Sequence, residues 1–460
     1  MQRLAIGAAV ALALAAPSAR ADDLKALREE IAQMKQSYEQ RIAALESRLT
    51  QAEAKAGHAE TVAQQPTIAA TQKPASEAAF NPGISLVLNG TYTRLSSDPE
   101  SYAIAGFAPT GGEVGPPRRS FGLGESELGI SANIDHTLRG QLTAALAPEG
   151  GAEVEEAFIQ TLGLGRGVTL KAGRFLSGIG YLNERHAHVW DFADAPLAYK
   201  AMLGGQLKND GVQLKWVAPT DFFLELGGEA ASGGVFPSTD RNKNGGTVGA
   251  LFARIGGDVG ASSSWRAGLS VLGASPRDRQ YDDVDGTDTG VTNAFTGRSR
   301  TWLADLVWKW APAGNARERS LMVQGEYFRR RETGRLAYDV NGASTVGSQD
   351  GDYASTQSGF YAQAVYQFMP RWRVGYRYDR LDSGSPAIGL VDGGVLTVAD
   401  FPLLAAYRPK RNSVMVDFSA SEFSRVRLQF AREQSRPEVT DNQLWLQYVV
   451  SLGAHGAHKF

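Results

Sequence analysis

The sequence predicts an all-β fold, a transmembrane antiparallel β-barrel of about sixteen strands preceded by a short periplasmic α-helical coiled coil, and three observations carry that prediction. From residue 83 onward, apolar residues recur with a period of two, as in strands with one face in an apolar medium and the other in water. The segments joining these runs alternate between short turns and long, polar, Gly-rich loops. The last run lies close to a terminal aromatic residue, Phe460.

The N-terminus comes first. "MQRLAIGAAVALALAAPSARA" has one early cation, Arg3, an apolar run over 4–16 and the small-residue exit Ala19-Arg20-Ala21, which is the build of a secretory signal peptide spanning 1–21. No later stretch reaches about 18 consecutive apolar residues, so no helix is expected to cross a membrane. The chain has no cysteine, and an exported protein without disulfides is held by burial and backbone hydrogen bonds. A net charge of −2 counts against a nucleic-acid partner. The 52 Gly, 8 Trp, 15 Tyr and 19 Phe suit a β-rich surface protein.

Residues 22–56 follow with Leu24, Leu27, Ile31, Met34, Tyr38, Ile42, Leu45, Leu49 and Ala52 at spacings of 3-4-3-4-4-3-4-3. This is a short coiled coil with a stutter near Tyr38, which implies an oligomer. A single solvated amphipathic helix is the competing reading. Residues 57–82, rich in Ala, Thr, Gln and Pro, have no apolar period and read as a flexible linker. The barrel is assigned to 83–460.

Its strands are expected at 84–94, 125–134, 138–146, 155–162, 168–175, 212–218, 222–229, 249–255, 265–272, 302–310, 321–330, 360–368, 372–378, 413–419, 425–432 and 444–452. The faces separate cleanly. Trp302, Ala304, Leu306, Trp308 and Trp310 oppose Asp305 and Lys309, and Trp372, Val374, Tyr376 and Tyr378 oppose Arg373, Arg377 and Asp379. A bilayer enforces such segregation, because Arg or Lys on the lipid face near the midplane costs about 2–4 kcal/mol. A secreted sandwich or β-helix also alternates, but does not need a continuous apolar face on every strand. An even strand count puts both termini in the periplasm.

The signal peptide, coil, linker and barrel ending in Phe together resemble trimeric porins, especially the phosphate-selective type. Within the barrel, "LKAGRFLSGIGY", residues 170–181, is similar to that family's L-K-V-G-Q-F-K-x-P-F, with Arg174, Leu176 and Gly178 in place of Gln, Lys and Pro. The stretches "GISLVLNGTY", "GESELGISANID", "EVEEAFIQTLGL", "GIGYLNERHAHVWDF", "LVWKWAPAGN" and "SLGAHGAHKF" also resemble outer-membrane proteins labelled zinc-regulated or TonB-dependent receptors. A TonB-dependent receptor needs a plug of well over a hundred residues and 22 strands, for which this chain is too short. The porin resemblance implies a homotrimer in the outer membrane of a Gram-negative bacterium, acting as a channel for small hydrophilic solutes or ions, with a divalent metal such as zinc as one candidate solute. A metal receptor without a recognisable plug and a structural outer-membrane anchor are the alternatives. No G-x-S-x-G elbow or nucleophile–base set points to an enzyme, and no resident cofactor is implied.

Candidate pore-lining charges are Arg139, Lys171, Glu184, Arg185, Arg373, Arg377, Arg425 and Arg427. The acids lean toward the early strands and the arginines toward the late ones, as for a field across the lumen; charges interspersed for hydration alone are the other reading. Two loops superficially resemble calcium sites, 240–246 and 282–288, and are read as solvated. The central loop "GYLNERHAHVWDFADAP", residues 180–196, is the third external connection, which in porins folds inward. In extended backbone His186 and His188 would point the same way and, with Glu184 or Asp191, could hold Zn²⁺. On a helix they would diverge by about 200°. His455 and His458 form a second H-x-x-H candidate.

Overall fold

The structure is a computed structural model that describes residues 82–111, 114–146 and 150–453. The signal peptide at 1–21, the coil at 22–56, nearly all of the linker, His455, His458 and Phe460 lie outside the described residues.

The strands are β1 (Gly83–Leu95), β2 (Ser120–Leu123), β3 (Ser126–Asn133), β4 (Leu138–Leu146), β5 (Ala152–Thr161), β6 (Val168–Leu176), β7 (Lys208–Val217), β8 (Phe223–Ala231), β9 (Val248–Val259) and β10 (Ser263–Ala274). They continue with β11 (Arg279–Val284), β12 (Gly290–Trp310), β13 (Ser320–Tyr338), β14 (Gln349–Met369), β15 (Trp372–Asp382), β16 (Ala387–Ile388), β17 (Lys410–Ser421), β18 (Ser424–Arg436) and β19 (Val439–Gly453). The short β2, β11 and β16 are additions beside β1, β12 and β14. The others form a closed antiparallel barrel of 16 strands. β1 pairs with β3 on one side and with β19 on the other, from Ser85↔Gly453 to Leu95↔Gln443.

Alternation sets which side chains face out. On β12, Trp302 and Leu306 are exposed while Thr301, Leu303, Asp305 and Val307 are buried. On β15, Trp372, Val374 and Tyr376 point outward while Arg377 and Asp379 are buried inside. On β19, Leu446, Tyr448 and Leu452 are exposed, and Gln443 and Gln447 turn into the lumen. One face is apolar and continuous from strand to strand, as a hydrocarbon medium requires.

The turns follow from local chemistry. Between β3 and β4, Asp135 Oδ1 accepts from the Thr137 and Leu138 amides at 2.6 and 2.9 Å, so one carboxylate closes the turn. On the opposite side, β12, β13 and β14 run 21, 19 and 21 residues, well past the expected 302–310, 321–330 and 360–368. Much of the predicted loop sequence is therefore strand. Above the membrane neither face needs to be apolar, so the period-two signal that marks a strand is lost there.

The long loops are also packed. Phe295, Leu336, Tyr338 and Tyr353 on the extended strands and Tyr281 on β11 form a buried cluster with Leu390, Leu396, Phe401 and Leu404 of the β15–β17 connection. The 282–288 segment is only partly solvated: Asp283 and Asp285 are buried, and Asp285 Oδ1 accepts from the Thr287 and Thr289 amides at 2.8 and 2.9 Å. Its carboxylates organise a turn.

Leu269, at the middle of β10, is 67% exposed on the outer face. Leu269→Arg is expected to destabilise the barrel folded in a bilayer by about 2–4 kcal/mol, with Leu269→Ile close to wild type. Denaturant titration of protein folded into lipid vesicles measures the difference.

Candidate functional site

Residues 177–207, between β6 and β7, turn into the barrel. Their entrance is closed by Asn183, whose Nδ2 donates to the Ser177 and Leu207 carbonyls at 2.8 and 2.9 Å and whose Oδ1 accepts from the Leu207 amide at 2.7 Å. The two ends of the loop are thus held together by one buried amide. Deeper in, Glu326 of β13 accepts from the Tyr181 and Leu182 amides, both at 3.0 Å, and from the hydroxyls of Tyr199 and Tyr361 at 3.0 and 2.6 Å. Gly180 lets the backbone approach this carboxylate. Its φ is +67°, and a Cβ there would lie 2.3 Å from Glu326 Oε2, so only glycine fits without displacement.

The loop then forms a short helix, α1 (Leu197–Leu203), in which every residue is buried. A helix buried on all sides belongs in an interior, and its one charged residue, Lys200, is paired with Asp194 there. Asp379 Oδ1 caps its first amide at 2.9 Å, and Gly204 at φ 72° ends it. Tyr199 meets Phe328 edge-on at 5.1 Å, and Met202, Leu203 and Leu207 pack with Leu272, Leu303 and Leu381 of the wall. The loop is part of the core of the barrel.

Before that helix the loop presents two imidazoles and then two carboxylates, and the imidazoles meet wall carboxylates while the carboxylates meet wall cations. The first half carries His186 and His188. The Ala187–Val189 segment is a 3-10 turn, yet the imidazoles stack at 5.8 Å between centroids and 25° between planes. They face Glu127 of β3 and Glu155 and Glu156 of β5. His186 Nδ1 lies 3.1 Å from Glu127 Oε2 and 3.0 Å from Glu155 Oε2, its Nε2 lies 3.0 Å from Glu156 Oε2, and His188 Nδ1 lies 2.6 Å from Glu127 Oε1. Burial alone would lower the His186 pKa, but these carboxylates overcome it and hold the ring well above the value of a free imidazole.

Both Glu155 and Glu156 reach the lumen because β5 is irregular. Thr143 opposes Glu156 and the next residue, Ala144, opposes Val154. The bulge leaves Glu155 without a partner on β4 and turns two successive carboxylates to the same side.

The second half carries Asp191 and Asp194. Arg373 of β15 binds Asp191 at 2.9 Å and Asp417 of β17 at 2.6 Å. Asp194 is held by Arg377 at 3.1 Å, Lys200 at 3.3 Å and Arg411. Burial would raise the Asp194 pKa, but the three cations drive it far below the usual carboxylate range. Arg425 and Arg427 of β18 donate to the His188 and Trp190 carbonyls, both at 2.6 Å.

These positions correct the expected site. Glu184 and Asp191 were expected beside the histidines, but Glu184 pairs with Lys215 and Arg254 at 2.5 and 3.0 Å, and Asp191 pairs with Arg373. Burial would raise the Glu184 pKa, yet those two cations keep it well below the ordinary value. Arg373, Arg377, Arg425 and Arg427 grip the loop from the wall. Arg139 is exposed at the short-turn end and reaches Ser131 Oγ at 3.1 Å. Lys171 lies 4.2 Å from the centre of the Phe158 ring. Arg185 stacks on Tyr181 at 4.3 Å and lines a cavity of about 600 Å³ with Asp191, Gln324, Lys309 and Arg373. Glu155, Glu156, Asn183 and Arg411 were missing from the expected set. Their roles depend on where a loop lands, for which local spacing carries no signal.

No protein-family model matches the sequence. Among solved structures, OmpT, an outer membrane protein of Vibrio cholerae (a loop L8 deletion mutant), aligns at a TM-score of 0.49 and 12% identity over 81% of this chain and 99% of that one. An anion-selective porin from Comamonas acidovorans gives 0.48 and 10% over 81% and 99%, and the outer membrane channel DcaP of Acinetobacter baumannii gives 0.46 and 12% over 84% and 100%. In sequence, an uncharacterized protein of Aquifex aeolicus is 32% identical over 414 residues, 84% of this chain and 81% of its own length. The chain belongs to the same family as that Aquifex aeolicus protein, and its described residues form a closed antiparallel β-barrel of 16 strands.

Proposed function

We propose that the protein is an outer-membrane channel for small hydrophilic solutes, with a lumen narrowed by residues 177–207. The observation that carries this reading is that inward loop, held by wall residues of both charges inside a closed barrel with an apolar exterior. A barrel of this strand number has an aqueous interior unless something fills it, and here the filling is a segment docked by hydrogen bonds and ion pairs. The cavity beneath it is bounded by the short β9–β10 and β12–β13 turns, at Ser262, Ser263, Ala311 and Ala316, and is polar enough for a hydrated solute. A divalent metal as the transported solute gains no support, because His186 and His188 sit against wall carboxylates and not on the cavity. The heptad spacing over 24–52 and the porin resemblance favour a homotrimer.

Purified protein in planar bilayers should give discrete, low-conductance openings. An absence of conductance together with no solute entry in liposome swelling would remove the channel reading and leave an anchor.

Glu326→Ala is expected to loosen the loop, since it strands two amides and two tyrosine hydroxyls at about 1–3 kcal/mol for each donor left unsatisfied. Single-channel conductance should rise severalfold and external protease should cut within 177–207, with the barrel still folded on unheated gels. Unchanged conductance and protease resistance would show that the loop does not set the constriction.

A further inference from the structure

The cluster at the first half of the loop is built for more than an ion pair. Glu127 Oε2 and Glu155 Oε2 both lie within 3.1 Å of His186 Nδ1, but that nitrogen carries at most one hydrogen. A single N–H can be shared by two carboxylates only as a weaker three-centre bond, whereas a cation placed between the three atoms serves all of them. One donor atom each from Glu127, Glu155 and His186 can be chosen so that all lie within 4.8 Å of one another. A first-row divalent ion with bonds of about 2.0–2.2 Å to nitrogen and oxygen sets neighbouring donor atoms roughly 2.8–3.1 Å apart in octahedral and roughly 3.3–3.6 Å apart in tetrahedral geometry. The separations from His186 Nδ1 to Glu127 Oε2 and Glu155 Oε2, 3.1 and 3.0 Å, match the octahedral spacing and lie a few tenths of an ångström inside the tetrahedral one.

Two further observations point the same way. Three buried carboxylates, Glu127, Glu155 and Glu156, crowd around the one His186 ring. Buried carboxylates brought together are costly unless a cation joins them. The β5 bulge, moreover, brings Glu155 to the lumen where a regular strand would point it at lipid, so backbone pairing is interrupted at the residue that supplies a donor.

We propose that Glu127, Glu155 and His186 bind one first-row divalent metal ion that fastens the inward loop to the β3–β5 wall, with Glu156 orienting the ring from its other nitrogen and His188 holding the second oxygen of Glu127. Mixed imidazole and carboxylate donors suit Zn²⁺ and, more weakly, Mn²⁺. The ligands span loop and wall, so the ion acts as a cross-link. Binding does not depend on the channel reading; its effect on conductance does.

The test uses full-length protein carrying His455→Ala/His458→Ala, so that the terminal histidines contribute no binding, titrated with ZnCl₂ and with MnCl₂ after chelator treatment. One equivalent of Zn²⁺ should bind, Mn²⁺ more weakly, and affinity should fall about tenfold or more in Glu127→Gln/Glu155→Gln and in His186→Gln. Folding of each variant is checked by migration of unheated samples, and if the double carboxamide fails to fold, His186→Gln decides alone. No Zn²⁺ binding by the folded parent, or equal binding by His186→Gln, overturns the proposal. Binding without conductance would keep this site and remove the channel, and conductance without binding would do the reverse.

Discussion

Pairing of the first and last strands is the constraint on which everything else rests. Inside a bilayer no water meets an unpaired amide or carbonyl, so a sheet can cross only if it has no edge. The β1–β19 ladder removes the edge. Closure then divides the side chains by alternation alone: one set must be apolar because it meets lipid, and the other is free to be polar because it does not. The interior can therefore carry buried arginines and glutamates that an outer face would exclude.

That freedom is used to seat one loop. The acidic wall on β3 and β5 receives His186 and His188, and the arginine wall on β15, β17 and β18 receives Asp191, Asp194 and the loop's carbonyls. The segregation of charge along the chain is thus matched by a reversed segregation within a stretch of nine residues, "HAHVWDFAD". Reversing the loop or shifting it by one turn would set like charges together. Electrostatic complementarity of this kind contributes more to a unique placement than to net stability, because desolvation offsets much of the attraction.

Apolar packing supplies what the charges do not. Leu197 to Leu203 are buried against Leu303, Phe328, Tyr361 and Leu381, and burying side chains of this size contributes about 1.5–3 kcal/mol each. The polar contacts orient the loop, and the helix holds it down. Glu326 belongs to both, since its carboxylate takes the loop's amides and the Tyr199 hydroxyl beneath the aromatic cluster.

The sequence by itself determined the barrel. Residues such as Leu306 against Asp305 and Val374 against Arg373 declare their faces through period two, which is a local property and so is visible in a single chain. It also placed the inward loop, through the alternation of short and long connections and the porin resemblance. Only the tertiary structure decided what that loop does inside. Glu127, Glu155 and Glu326 lie 61, 31 and 145 residues from His188, His186 and Tyr181, and the β5 bulge that turns Glu155 inward has no signature in spacing. The partners Glu184 and Asp191, near in sequence, are drawn away by Lys215 and Arg373 because a buried carboxylate goes to the nearest available cation, and which cation is nearest is set by closure of the barrel.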